Sequence, residues 1–270
     1  MPYVKQMATA KHGLFELTIL FEDGHTEDIF LAEDTIVTYQ VLKGKAFTDD
    51  EWTALLRVDI VKRMVSRGMY LLSFRMRTAG EIRRDLMERF EDGQELIPDA
   101  IYELENFGYI NDAQYAHMYT DEKRRIQKKG PLVIKKELNE KEVAPAVIDL
   151  ALESYTLEKQ TEAAQSVVEK IKASQKDSAS KAEQKAIQRL LTKGFAQSVA
   201  VQVVKEHFVR PDKDEEAGAV AYHGEKAARK WSQLSGWEFE RKMKQVLYQK
   251  GFPIHAIQEW LQSRQEEDEQ

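Results

Sequence analysis

Apolar and polar positions alternate near the start of the chain. Phe15, Leu17, Ile19 and Phe21 are spaced by Glu16, Thr18 and Leu20, the one apolar interruption. Period two predicts a strand with one buried face. Asp23-Gly24 follows, and Ile29 and Leu31 resume the alternation. Asp-Gly between alternating runs is a strong hairpin signal. Val4 to Thr9 adds a third strand that turns back at Gly13. So small a sheet is marginal in water and needs a surface to pack on.

The period then changes to 3.6. Trp52, Leu55, Leu56 and Ile60 form one helical stripe, with Thr48 and Asp49 as cap candidates. Gly68 costs a helix about 1 kcal/mol, so Asp50 to Arg75 is expected to split into two helices. Thr78 and Glu81 have capping-box spacing ahead of Ile82, Leu86 and Phe90. Pro98 suits the first turn of the next helix, which carries Ile101 and Leu104.

Four segments share one pattern: a small or apolar residue, Leu four positions on, and a base three after that. They run from Ile82 to Arg89, Ile134 to Lys141, Ala186 to Lys193 and Met243 to Lys250. The last three continue as Glu142-Val143, Gly194-Phe195 and Gly251-Phe252, the signature of a helix stop followed by an apolar anchor. Glu142 stands where glycine is usual and predicts local strain. Leu86, Leu138, Leu190 and Leu247 lie 52, 52 and 57 residues apart, room for about three helices per unit. One Leu-x-x-Lys-Gly-Phe means only a helix end; four in phase mean stacked supersecondary units.

The expected class is therefore mainly α, with tandem three-helix repeats in an elongated molecule and a small N-terminal β-hairpin region. The expected boundaries are a strand region at 1–46, repeats at 47–120, 121–156, 157–210 and 211–264, and an acidic, disordered tail at 265–270. Lys172 to Lys185 reads as a polar loop or frayed helix, and Pro211 to Asp214 as a linker.

Composition narrows the function. Charged residues are 32% of the chain, above the roughly 25% of ordinary domains, and Gly (13) and Pro (6) are scarce, as helices require. Zero Cys excludes disulfides, thiolate zinc sites and cysteine nucleophiles and fits a reducing cytoplasm. The N-terminus has no apolar signal region, and no apolar run approaches the ~18 residues of a membrane span. The six His show no ligand spacing, and no metal or other cofactor is expected. Gly218 to Lys226 has a phosphate-loop outline, but Ala227 stands where a hydroxyl must hold magnesium. No catalytic constellation emerges, and an enzyme is not expected.

Charge is uneven. The net charge of −6 argues against a protein that coats DNA, yet Arg57 to Phe90 holds nine Lys/Arg against four Asp/Glu, and Glu122 to Lys141 eight against three. The candidate partner-binding cations are Arg75, Arg77, Arg83, Arg84, Lys123, Arg124, Arg125, Lys128, Lys129, Lys135 and Lys136. Those from Lys123 to Lys129 are expected to be solvent-facing. Gly130-Pro131 would stop one helix there and start the next.

At these residues the chain resembles the RecX family, regulators of the bacterial RecA recombinase. The resemblance lies in Leu71-Leu72-Ser73-Phe74-Arg75-Met76-Arg77-Thr78, in Glu81 to Leu86, in Phe107-Gly108-Tyr109-Ile110-Asn111-Asp112 with Tyr115-Ala116, and in Gly130-Pro131 followed by Ile134 and Leu138. It implies a curved stack of three-helix units. It implies a non-catalytic protein that binds the RecA–DNA filament; a monomer is expected of stacked units that touch only their neighbours, and the Cys-free chain is expected in the cytoplasm. Such a protein inhibits RecA ATPase, strand exchange and filament extension, and so regulates homologous recombination, DNA repair and the SOS response. Shorter members carry three repeats, whereas this chain shows four and a strand region. The alternative is a stand-alone helical-repeat protein that binds single- or double-stranded DNA. The lack of stacking aromatics near the basic run counts against it.

Overall fold

The computed structural model describes residues 1–171, 178–210 and 212–268. Strands β1 (Tyr3–Thr9), β2 (Leu14–Leu20) and β3 (Thr26–Ala32) form an antiparallel sheet in the order β1-β2-β3. Leu17 pairs with Met7 on one side and Ile29 on the other. Gly13 and Gly24, with φ of 72° and 85°, turn the chain between strands as expected. Val4, Leu17, Ile19 and Leu31 bury one face of the sheet against Ile36 of α1 (Glu33–Thr38) and Trp52 and Leu55 of α2 (Asp49–Leu72). A buried carboxylate fastens the sheet to that helix: Asp59 accepts the Ala32 N–H at 2.6 Å, and burial pushes its pKa up.

Helices then follow in threes. They are α2, α3 (Ala79–Arg89) and α4 (Ile97–Asn106); α5 (Asp112–Arg125), α6 (Pro131–Glu140) and α7 (Pro145–Glu153). Next come α8 (Leu157–Val168), α9 (Ala179–Thr192) and α10 (Gln197–His207), then α11 (Lys213–Lys230), α12 (Gly236–Gln249) and α13 (Ile254–Asp268). The chain divides into two compact units, Met1–Met118 with Leu138–Ile148, and Tyr119–Glu137 with Asp149–Gln270.

The starts of these helices obey the capping chemistry read from the chain. Thr48 and Glu51 form a capping box at α2, and Thr78 and Glu81 another at α3. One expectation fails. The segment from Asp49 to Leu72 is a single helix through Gly68, where a Cβ would stand 2.4 Å from Leu104 Cδ1. Gly68 lets α4 approach α2; the backbone penalty is offset by close packing of Met64, Leu71, Ala100 and Leu104.

The repeated Leu does two things. Leu86, Leu138, Leu190 and Leu247 are all fully buried. The carbonyls of the last three also stop their helices, accepting N–H groups from Val143, Phe195 and Phe252 at 3.1–3.2 Å. The turn residues between are Glu142, Gly194 and Gly251, with φ of 60°, 90° and 85°. Glu142 thus carries the predicted strain, about 1 kcal/mol for a residue with a Cβ. It holds that position while binding Arg84 at 2.6 Å and Arg83 at 3.6 Å.

The base after each of the last three of these Leu residues marks a joint between repeats. In the first unit the Thr78 hydroxyl, at the start of α3, donates to the Lys141 carbonyl at 2.7 Å. In the second unit the Gly130 N–H, at the start of α6, donates to the Lys193 carbonyl at 2.7 Å, and the Ser178 hydroxyl, at the start of α9, to the Lys250 carbonyl at 2.7 Å. Each joint sets the beginning of one middle helix on the end of the next repeat's middle helix, so orphan groups at both ends are satisfied together.

Three loop readings change. Of the Lys172–Lys185 segment, 172–177 lies outside the described residues, while Ser178 caps α9 and the rest is helix. Of the expected linker, Pro211 lies outside, while Asp212 and Glu215 form a capping box that opens α11. The acidic tail is helical through Asp268, with Gln265 donating to Glu240 at 3.0 Å; 269–270 lie outside. Gly218 sits inside α11 with no non-helix atom within 4 Å of a built Cβ. Gly218→Ala should therefore stabilise the protein by about 0.5–1 kcal/mol in a denaturant unfolding curve. A loss of stability instead would reveal a close neighbour at that face.

Candidate functional site

The cations of the first unit are mostly committed to its own structure. Arg75, following the C-terminal turn of α2, pairs with Glu81 at 3.1 Å, and Arg77 reaches the Leu71 carbonyl at 3.4 Å. Arg83 and Arg84 project from α3 onto Glu142, and that carboxylate raises the Arg84 pKa. Lys141 joins Glu81 at 3.2 Å, and Arg75, the Thr78 N–H and Lys141 together hold the Glu81 carboxyl below the usual range despite burial.

The same unit exposes aromatic rings that sequence reasoning missed. Tyr70 and Phe74 meet edge to face at 5.0 Å, and Phe74 is 68% exposed. Arg67 lies 5.4 Å from the Tyr70 ring while it grips Asp85 through two bonds of 2.7 and 2.8 Å. The cue was available for Tyr70, which flanks the buried stripe through Met64, Gly68 and Leu71 on α2; Phe74 lies beyond the end of that helix.

In the second unit the basic run spans the end of α5 and the connection to α6. The expectation that its cations all face solvent fails for three. Lys123 is only 15% exposed, pairs with Glu122 and lies 4.7 Å from the Tyr119 ring. Arg124 is 19% exposed, bound to Asp121 and set 5.9 Å from the Tyr155 ring. Lys129 is bound to Glu137, and its carbonyl accepts the Tyr155 hydroxyl at 3.0 Å. Long aliphatic stems cover apolar surface here while the charged heads find carboxylates. Burial pushes the Tyr155 phenol well above its ordinary pKa, so it stays a donor.

Arg125 remains open at 69% exposure, with one contact to Asp121 at 3.3 Å. Lys128 adopts a left-handed backbone, φ 51°, as the connection turns toward Gly130. Lys135 pairs with Asp149 at 2.5 Å, and Lys136 is exposed on α6. Arg124, Arg125 and Lys128 come together with Lys159, Glu162 and Ala163 around a cleft of about 220 Å³. Lys159 is the residue the sequence did not suggest; it comes from the first turn of α8, and only folding places it opposite the run. On the other side of the connection, Lys193 donates to the Gln127 carbonyl at 2.7 Å. Burial lowers its pKa, and the positive charges of Arg189, Lys129 and Lys170 lower it further.

Among the described residues, no group of three His, Asp or Glu side chains is placed to hold a metal ion. No helix there is long and apolar enough to cross a membrane.

Two family models match the chain. Residues 111–152 fit the second three-helix domain of RecX and residues 214–261 the third. Helices α8 to α10 lie between the two matched stretches. A Bacillus cereus (strain B4264) protein named regulatory protein RecX is 33% identical over 99% of this chain and 100% of its own length. The Bacillus anthracis (strain CDC 684 / NRRL 3495) protein of the same name is also 33% identical, over the same shares. A crystal structure of regulatory protein RecX superposes with a TM-score of 0.62 at 26% identity, covering 76% of this chain and all of that one. RecX from Lactobacillus salivarius gives 0.52 at 29% identity, covering 55% of this chain and 97% of that one. Full-length identity, both family models and the three-helix architecture agree, and the chain belongs to the RecX family.

Proposed function

We propose that this protein is a non-catalytic regulator that binds the RecA–DNA filament and inhibits RecA ATPase, strand exchange and filament extension. Membership among proteins named regulatory supports the class of function. The observation that carries the contact is the cleft of the second unit, where Arg124, Arg125, Lys128 and Lys159 face Glu162 as the one carboxylate in the lining. Most other candidate cations already have acid partners, so this is where positive charge is left over for a filament of phosphates and carboxylates.

Titrating the protein into a RecA ATPase reaction on single-stranded DNA should lower turnover progressively, with inhibition persisting when DNA is in excess. Turnover that stays constant up to equimolar RecA would end this reading. A second reading, a stand-alone DNA binder, draws support from the exposed Tyr70 and Phe74 rings, since bases stack on such surfaces. The same titration separates them, because a competitor for the strand loses its effect when free DNA is added.

A further inference from the structure

We propose that the free edge of β3 is a strand-addition site that captures an extended, basic segment of another protein. The proposal goes beyond the filament-binding reading and does not rest on it. Three observations carry it.

The first is an open ladder. The sheet ends at β3, and at its hairpin turn the Phe21 N–H donates to the His25 carbonyl at 3.0 Å. Antiparallel bonding alternates from there. Glu27, Ile29 and Leu31 bond to β2, while Thr26, Asp28, Phe30 and Ala32 turn their N–H and C=O groups outward. Ala32 shows this directly, because its outward N–H is the one that Asp59 accepts at 2.6 Å. That carboxylate closes the far end of the edge, and Thr26, Asp28 and Phe30 lie exposed before it. The opposite edge of the sheet is sealed by the chain itself. There the Val4 N–H donates to the Lys45 carbonyl and the Val4 carbonyl accepts the Gly44 N–H, both at 2.9 Å. Among the described residues, no strand pairs with β3 on its outer side. An open row of this kind is a template for another strand.

The second is charge. From Glu22 to Asp34 the chain holds six Asp/Glu and no Lys or Arg. Glu27 and Asp28 stand on the edge itself, one on each face of the strand, and Glu16 lies directly opposite Phe30 on the Asp28 face. Like charges placed opposite each other destabilise a strand pair, so the β3 of a second copy is repelled. A phosphate backbone is repelled by the same field. Lys or Arg opposite Glu27 and Asp28 is what this edge fits.

The third is Phe30. Its ring is 46% exposed on the outer face of the sheet, beside the outward backbone groups. In strand addition the backbone bonds supply affinity and the alternate side chains supply specificity. An antiparallel partner would set apolar residues opposite Phe30 and Ile29, bases opposite Asp28 and Glu27, and a small polar residue opposite Thr26. Along the partner this reads Val-Val-Lys-Lys-Thr.

The test is an NMR titration of the full-length chain with that peptide, blocked at both ends. Binding should saturate, and amide exchange at Asp28 and Phe30 should slow by about tenfold or more. Exchange at Ile29 and Leu31, already bonded to β2, should not change. A Val-Val-Glu-Glu-Thr peptide should not bind. Asp28→Asn and Asp28→Pro both remove the charge, but only proline removes the outward N–H, a change that edge positions tolerate. Asp28→Pro should therefore bind roughly fivefold more weakly than Asp28→Asn, the worth of one backbone bond. Binding that leaves Asp28 and Phe30 unprotected is adhesion to an acidic surface and overturns the proposal. Equal affinities of the two variants, or no binding of the basic peptide, overturn it as well. If Asp28→Pro melts early, the exchange measurement on the wild-type chain decides alone.

Discussion

Replacing Gly130 with alanine should destabilise the protein by about 3 kcal/mol, the upper end of the usual cost of overpacking. A Cβ at that position would stand 2.3 Å from the carbonyl carbon and oxygen of Gly194 and 2.4 Å from the Phe195 nitrogen. These are backbone atoms, so no rotamer change relieves the overlap. The opposing chain has no room either: Gly194 sits at φ 90°, and a Cβ of its own would meet the Val133 nitrogen at 2.5 Å. Relief requires the two backbones to part. That would stretch the bond from Gly130 N–H to the Lys193 carbonyl at 2.7 Å and the bond from Leu132 N–H to the Gly194 carbonyl at 3.1 Å. The joint between the second and third repeats would loosen, and each group left without a partner adds about 1–3 kcal/mol. Urea unfolding of the variant beside Gly218→Ala provides the measurement. A Gly130→Ala curve within about 0.5 kcal/mol of wild type, the range of an ordinary surface change, would show that the joint carries little of the stability.

That joint also marks how far the sequence could be read. The repeat was legible because the middle helices of the last three repeats end with the same chemistry, a buried Leu, a base, and a left-handed residue before an apolar anchor. The three strands were legible from Leu17, Ile19 and Leu31, whose period-two spacing matches their burial on one face. The meaning of Gly68 and Gly130 was not. A glycine in a helical pattern reads locally as a breaker, and the neighbours that require it, Leu104 and Gly194, lie 36 and 64 residues away. The same limit applied to the charges. Glu122 to Lys141 showed an excess of cations, yet which were already committed depended on Asp121, Glu137, Asp149 and the ring of Tyr155, placed by the fold. Lys159 had no local cue, because its partners across the cleft belong to the preceding repeat. The Asp212 and Ser178 caps were mistaken for loop because polar residues that begin helices and polar residues that fill linkers are the same residues.

Arg125→Glu with Lys128→Glu should abolish RecA inhibition and leave the thermal melt nearly unchanged. Arg125 is open to solvent, and its contact with Asp121, at 3.3 Å, is a surface ion pair of little energetic weight. A glutamate there adds a like-charge pair four residues from Asp121, a cost of about 0.5 kcal/mol. Lys128 already tolerates the left-handed backbone with a Cβ in place, so glutamate adds no new backbone strain. The functional effect is far larger. Charge-assisted bonds to an anion are worth about 1.5–3 kcal/mol each, so losing two amounts to about 3 kcal/mol or more, roughly a 100-fold higher concentration for half inhibition. Arg124→Glu makes the contrast. Arg124 is bound to Asp121 against the Tyr155 ring, so a glutamate would set two carboxylates together in a half-buried wall and lower the melting temperature. The two experiments together separate a docking surface from a structural one. If the Arg125/Lys128 variant inhibits at wild-type concentration, the docking face lies elsewhere in the chain. If it inhibits less but melts early, these cations belong to the fold, and the leftover charge in the cleft has no role in regulation.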